Sequence, residues 1–189
     1  MKIMKKLFFT LAIMFGLTTV VNAQDSGKIW VGGSVGIKTS KVTDGDRLTN
    51  YNIVPEVGYM TSDNLGVGIK LGYAHKEYEG LDGAKAKADG FTVNPFVRYS
   101  FLKGDIGGLF VDGGAGYTYS KLKSTDTKVH ELEVGFRPGV AINVAKNVSL
   151  TGKFGFLGYE YEKYGSTKTN SYGFNFDLDQ IQLGMILVF

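Results

Sequence analysis

The sequence predicts an all-β protein: an eight-stranded antiparallel up-and-down transmembrane β-barrel with its apolar face turned outward. Three observations predict it. Eight segments alternate apolar and polar residues with period 2. The polar positions carry many mid-strand glycines. The connections alternate between short and long, the asymmetry of a barrel held in lipid.

The first 23 residues stand apart from this pattern. Lys2, Lys5 and Lys6 precede an apolar run from Leu7 to Val21, and Val21-Asn22-Ala23 forms a small-residue cleavage site. This is the pattern of a secretory signal peptide. The run is too short for a membrane anchor, which needs roughly 20 apolar residues. Residues 1–23 are therefore expected to be removed, leaving residues 24–189 as one barrel domain. The leader holds three of the 21 basic residues and none of the 18 acidic ones, so the mature chain is balanced at 18 of each. No basic patch points to nucleic acid. The chain has no Cys, which excludes a disulfide framework and a thiolate metal site. No cofactor or metal is expected.

The alternation gives each strand in turn. KIWVGGSVGIK (28–38) sets Ile29, Val31, Val35 and Ile37 against Trp30, Gly32, Ser34 and Gly36. YNIVPEVGYM (51–60) sets Ile53, Val57 and Tyr59 against Asn52, Glu56 and Gly58. LGVGIKLGYA (65–74) sets Val67, Ile69 and Leu71 against Gly66, Gly68 and Lys70. FTVNPFVRYSF (91–101) sets Val93, Val97 and Tyr99 against Asn94, Phe96 and Arg98. LFVDGGAGYTY (109–119), ELEVGFRPGVAIN (131–143) and VSLTGKFGF (148–156) continue the pattern. The eighth strand is the chain's end, GFNFDLDQ followed by IQLGMILVF. Its two halves are out of phase, so a bulge is expected near Asp179. The connections 61–64, 102–108 and 144–147 are short. Those at 39–50, 75–90, around 121–128 and around 162–173 are longer and polar, and read as loops.

The direction of the apolar face separates a membrane barrel from a soluble one of the lipocalin kind. Glycine weakens a strand, so a water-facing surface has no use for so many. The narrow interior of an eight-stranded barrel does, because side chains must fill it without clashing. The glycine-bearing face is therefore the lumen. It also carries Glu56, Lys70, Arg98, Asp112, Glu133, Arg137 and Lys153, each near mid-strand. Left unpaired there, each would cost several kcal/mol, so a lumenal charge network is expected. On the lipid face, Tyr59, Tyr99, Phe101 and Phe189 fall at the short-turn rim. Tyr51, Tyr73, Phe91, Tyr117 and Tyr119 fall at the long-loop rim, giving the two aromatic girdles of a membrane barrel. Pro55, Pro95 and Pro138 lie on that face within strands, and local bulges are expected to accommodate them.

YNIVPEVGYMTSDNLGVGIKLGYAHK (51–76) and FTVNPFVRYSF resemble the strand–turn–strand pattern of the small Gram-negative outer-membrane β-barrels, outer membrane proteins A and X and the outer membrane protein β-barrel domain group. The likeness covers the whole chain after the leader. Gln182, Gly184, Leu187 and Phe189 resemble the C-terminal signal by which the barrel-assembly machinery selects its substrates. The resemblance implies residence in the outer membrane, contact with its lipid, and passage by way of periplasmic chaperones and the assembly machinery. A monomer is expected, and no peptidoglycan-binding domain is expected beyond the barrel. The function it implies is structural or surface-interacting, with the lumen closed by polar and charged side chains. The alternatives are a small porin-like channel gated by Glu56, Lys70, Arg98, Glu133 and Arg137, and a lipid-modifying enzyme. An enzyme needs a His beside a Ser or an acid at the outer rim. Only His75 and His130 exist, and neither has a recognisable Ser partner in the sequence, so no enzyme is expected.

Overall fold

In a computed structural model, the described residues are 26–41, 47–79, 85–123, 127–176 and 181–189. They form ten antiparallel strand segments that build eight staves: β1 (Ile29–Lys41), β2 (Arg47–Met60), β3 (Leu65–Glu79), β4 (Lys85–Gly104), β5 (Gly107–Leu122), β6 (Lys128–Ala145), β7 (Val148–Lys153), β8 (Phe156–Tyr164), β9 (Thr167–Asn175) and β10 (Gln182–Val188). Each of β1 to β5 pairs with the next, β5 pairs with β6, and β10 pairs with both β7 and β1, so the sheet closes on itself. The seventh stave is β7 continued by β8, broken at Phe154-Gly155, where Gly155 adopts φ +70°. The eighth is β9 followed by β10. The bulge expected near Asp179 lies outside the described residues.

The apolar face points outward. Ile53, Ile69, Val93, Val134, Leu150 and Leu183 are between 38% and 66% exposed. A soluble barrel would bury them; here they form the band that meets acyl chains. The buried apolar cluster is inside the barrel, toward the short turns. Trp30, Phe96 and Ile186 pack together there, with Met60 and Val188 against them. Its tightness explains the glycines: a Cβ at Gly58 or Gly66 would be driven into the Trp30 indole, from β2 and β3 respectively. Both aromatic girdles stand where the alternation sets them, with Tyr59, Tyr99, Phe101 and Phe189 exposed at one rim and Tyr51, Tyr73, Phe91 and Tyr117 at the other.

Three expectations are corrected. The stretch 162–173 is not a loop but the upper parts of β8 and β9, joined by the two-residue turn Gly165-Ser166. The connection 75–90 is likewise mostly strand, because β3 runs to Glu79 and β4 starts at Lys85. Polar residues continue the ladder past the girdle wherever the hairpin partner keeps register. The prolines also differ. Pro55 and Pro95 cause no bulge; the pairing skips Val54-Pro55 on the β3 side and Asn94-Pro95 on the β5 side, and the register is the same before and after. The missing N–H falls on the interrupted side, while Pro55 remains opposite Gly33 and Pro95 opposite Ile69. Only Pro138 faces an irregularity, at the β7–β8 break, where its carbonyl accepts from Phe154 N at 3.1 Å.

Candidate functional site

Strand parity and barrel closure bring five charged side chains from five staves to one level of the lumen: Glu56 (β2), Lys70 (β3), Arg98 (β4), Asp112 (β5) and Lys153 (β7). The ladder sets Glu56 opposite Lys70 and Arg98 opposite Asp112. Arg98 Nε donates to Asp112 Oδ1 at 2.7 Å, and its Nη2 donates to Asp112 Oδ2 at 2.9 Å. The same Nη2 lies 3.0 Å from Glu56 Oε1. Lys70 Nζ donates to Asp112 Oδ2 at 2.9 Å, and Lys153 Nζ donates to Glu56 Oε2 at 2.6 Å. Lys153 Nζ is also 3.4 Å from Asp112 Oδ2, which closes the network. All five are between 3% and 9% exposed.

Aromatic rings complete the plug. Trp30 Nε1 donates to Glu56 Oε1 at 3.2 Å. The Arg98 guanidinium lies 4.4 Å from the Phe110 ring centroid and 5.3 Å from those of Trp30 and Phe96. Lys70 Nζ sits 4.1 Å above Phe96. Three cations and two carboxylates are thus held among three ring faces, whose quadrupoles carry part of the surplus positive charge.

The other two predicted lumen charges are elsewhere. Arg137 Nη2 donates to Glu133 Oε2 at 2.5 Å, and Asn94 Nδ2 donates to Glu133 Oε1 at 2.8 Å. Arg137 is opposite Asp112 in the ladder, but its guanidinium turns toward the loop end and stacks 4.5 Å over Phe156. Among the described residues, two cavities lie above the five-residue cluster. One cavity of about 350 Å³ is lined by Arg137, Lys153, Phe156, Glu160 and Ser171, and another of about 200 Å³ by Thr118, Glu131, Glu133 and Glu162.

Sequence reasoning placed Trp30, Phe96 and Phe110 on the lumen face without giving them a role. Three aromatics at polar-face positions were the available signal. It also missed a cluster on the outer wall. There Asp89 Oδ1 lies 2.6 Å from His75 Nδ1 and accepts from Tyr73 OH at 3.0 Å, and Asp89 Oδ2 lies 2.6 Å from Lys123 Nζ. These donors, Lys123 first, hold the Asp89 carboxyl well below the usual carboxylate range. His130 is beside Tyr117 OH at 2.7 Å, while Glu131 and Glu133 turn to the lumen. At the C-terminal end, β10 closes the barrel: Phe189 N donates to Ile29 O at 2.8 Å and Ile29 N to Phe189 O at 3.1 Å. Gln182, Gly184 and Leu187 are opposite Lys153, Thr151 and Val148.

Residues 8–189 match the family model of the outer membrane protein beta-barrel domain. The chain belongs to this family. Membership and the outward apolar band together make it a resident of the outer membrane. Among solved structures it is similar to the outer membrane protein OprG from Pseudomonas aeruginosa, at 13% identity over 90% of this chain and 99% of that one, with a TM-score of 0.51. It is also similar to Neisserial surface protein A, at 13% identity over 88% of this chain and 99% of that one, with a TM-score of 0.47. At such identity the likeness to OprG is one of fold alone. No curated protein matches the chain.

Proposed function

We propose that this outer-membrane β-barrel is a closed structural and surface-interacting element, exported by a leader cleaved after Ala23. The observation that carries the reading is the burial of Glu56, Lys70, Arg98, Asp112 and Lys153, with Trp30, Phe96 and Phe110, across one level of the lumen. An ion moving through would have to break several charge-assisted hydrogen bonds in a region from which water is largely excluded. Gln182, Gly184, Leu187 and Phe189 serve the assembly machinery, and the protein works as a monomer. A second reading, a narrow channel gated by the same cluster, draws support from the two cavities above it.

Conductance across a planar bilayer separates the two. The wild-type barrel is expected to insert and remain silent, and Arg98→Ala with Asp112→Ala is expected to produce discrete steps. Stable steps from the wild type would give the channel reading first place. Silence from both proteins would show that this cluster is not what closes the lumen. Arg137→Ala serves as the internal control, since its partner is Glu133 and it stands outside the plug.

A further inference from the structure

Two side chains of opposite charge face one lumenal cavity without meeting. Arg137 and Glu160 both line the cavity of about 350 Å³ above the plug, together with Phe156, Ser171, Asn175 and Gln182. The Arg137 guanidinium donates to Glu133 Oε2 through Nη2 and rests over the Phe156 ring. Among the described residues its other N–H donors have no acceptor. Among the same residues Glu160 has no ion pair, and Ser171, Asn175 and Gln182 make no side-chain hydrogen bond. The pairing of β6 with β8 sets the spacing. Glu133 holds the guanidinium, and Glu160 is opposite Glu133 in the ladder. Facing residues of this kind have Cβ atoms roughly 5 Å apart. The Glu160 carboxylate is therefore rooted close to the Arg137 guanidinium, yet the two form no ion pair.

The cavity is reachable from outside. All nine residues of β9 are exposed, those of its inner face included, and among the described strands β9 pairs with β8 alone. Gly155, Gly158 and Gly173 line the space with backbone. A Cβ on Gly173 would meet nothing within 4 Å, so that position opens onto free volume. At about 350 Å³ the cavity is at the lower end of the range for small-molecule sites, roughly 300–1,000 Å³. A guanidinium fork matches a carboxylate in two parallel hydrogen bonds. A simple anion would satisfy Arg137 but would bring like charge beside Glu160. A simple cation would satisfy Glu160 but would meet Arg137. A compact zwitterion satisfies both, and Phe156 gives its apolar body a wall.

We propose that this cavity binds a small aminocarboxylate with an apolar side chain. The carboxylate accepts from the free N–H groups of Arg137, and the ammonium donates to Glu160. Ser171, Asn175 and Gln182 supply neutral hydrogen bonds around it. The plug is the floor of the site, and occupancy does not depend on whether ions pass that floor.

The test is an NMR titration of the isotope-labelled full-length protein in phosphatidylglycerol nanodiscs, following the amides of Gly155, Gly158 and Gly173. Three matched ligands are added: leucine, isocaproate, which lacks the ammonium, and isoamylamine, which lacks the carboxylate. Leucine is expected to shift the three amides saturably. Each half-ligand is expected to bind at least about tenfold more weakly, the size of one charge-assisted hydrogen bond. Arg137→Gln should weaken leucine about tenfold and leave isoamylamine unchanged. Glu160→Gln should weaken leucine to a similar degree and leave isocaproate no weaker. Gly173→Leu should fill the cavity and abolish the shifts at Gly155 and Gly158. Lys168→Gln, on the outer face of β9 with Tyr172, should bind as the wild type does. The absence of a saturable shift with leucine would overturn the proposal. So would half-ligands that bind as tightly as leucine, or undiminished binding by Gly173→Leu. The three-ligand comparison uses the wild type alone, so it decides the matter even if a variant fails to fold.

Discussion

Asp112→Asn tests the lumen cluster at its most connected point. Asp112 accepts two hydrogen bonds from Arg98 and one from Lys70, and it also faces Lys153 at 3.4 Å. Substitution with Asn keeps the shape but removes one of the two carboxylates that balance three buried cations. Breaking a buried network by removing one partner costs about 3–5 kcal/mol, because the remaining charge stays desolvated. Lys70→Met acts in the opposite direction on the balance. It leaves two cations against two carboxylates and keeps the bidentate Arg98 contact, and the thioether can rest on the Phe96 face that Lys70 Nζ now covers at 4.1 Å. Its expected cost is smaller than that of Asp112→Asn, because Asp112 keeps both Arg98 hydrogen bonds and the Lys153 contact, and the charge removed is the surplus cation. The assay is urea unfolding of the folded barrel in lipid vesicles, followed by the fluorescence of Trp30, the single tryptophan, which is 3% exposed and bonded to Glu56. The reasoning fails if the two variants lose stability equally, or if Asp112→Asn costs less than about 1 kcal/mol with unchanged Trp30 emission.

The same geometry sets three other outcomes. Gly58→Ala forces a methyl group into the Trp30 ring and is expected to cost about 1–3 kcal/mol with a shifted Trp30 emission maximum, where an unshifted spectrum would mean the ring has room. Phe189→Ala is expected to lower the amount of folded protein in the outer membrane severalfold while leaving refolding from urea into vesicles nearly unchanged; equal losses in both would make Phe189 a stability residue rather than an assembly signal. The contribution of Asp89, measured as wild type minus Asp89→Asn, depends on pH in a defined sense. Its folded carboxyl is depressed by Lys123, His75 and Tyr73, so its contribution is full above the unfolded value of about 4 and is lost as pH falls toward the lower folded value. A difference that already vanishes near pH 6 would show that the cluster does not form.

The outer wall and the glycine-lined interior were legible from period 2 alone. In a membrane barrel each residue faces either lipid or lumen, and the two demand opposite chemistry. Ile53, Val93 and Val134 therefore declare their side locally, as do Glu56 and Arg98. The girdles were legible for the same reason, since the interfaces select Tyr and Phe at fixed positions along each strand. The length of the staves was not. Polarity beyond the girdle reads as loop, yet β3, β4, β8 and β9 continue there because an antiparallel partner in register satisfies the backbone whatever the side chains are.

The sequence by itself determined which residues enter the lumen, and only the tertiary structure decided which of them meet. Alternation is a property of one strand; partner choice depends on how eight strands are staggered when the sheet closes. Closure brings Lys153 to Glu56 across 97 residues of chain and joins Arg98 to both carboxylates, while Arg137, opposite Asp112 in the ladder, turns away to Glu133. Register between neighbouring strands likewise sets Lys121 opposite Lys128 and Lys163 opposite Lys168 on the outer wall, which no single strand reveals.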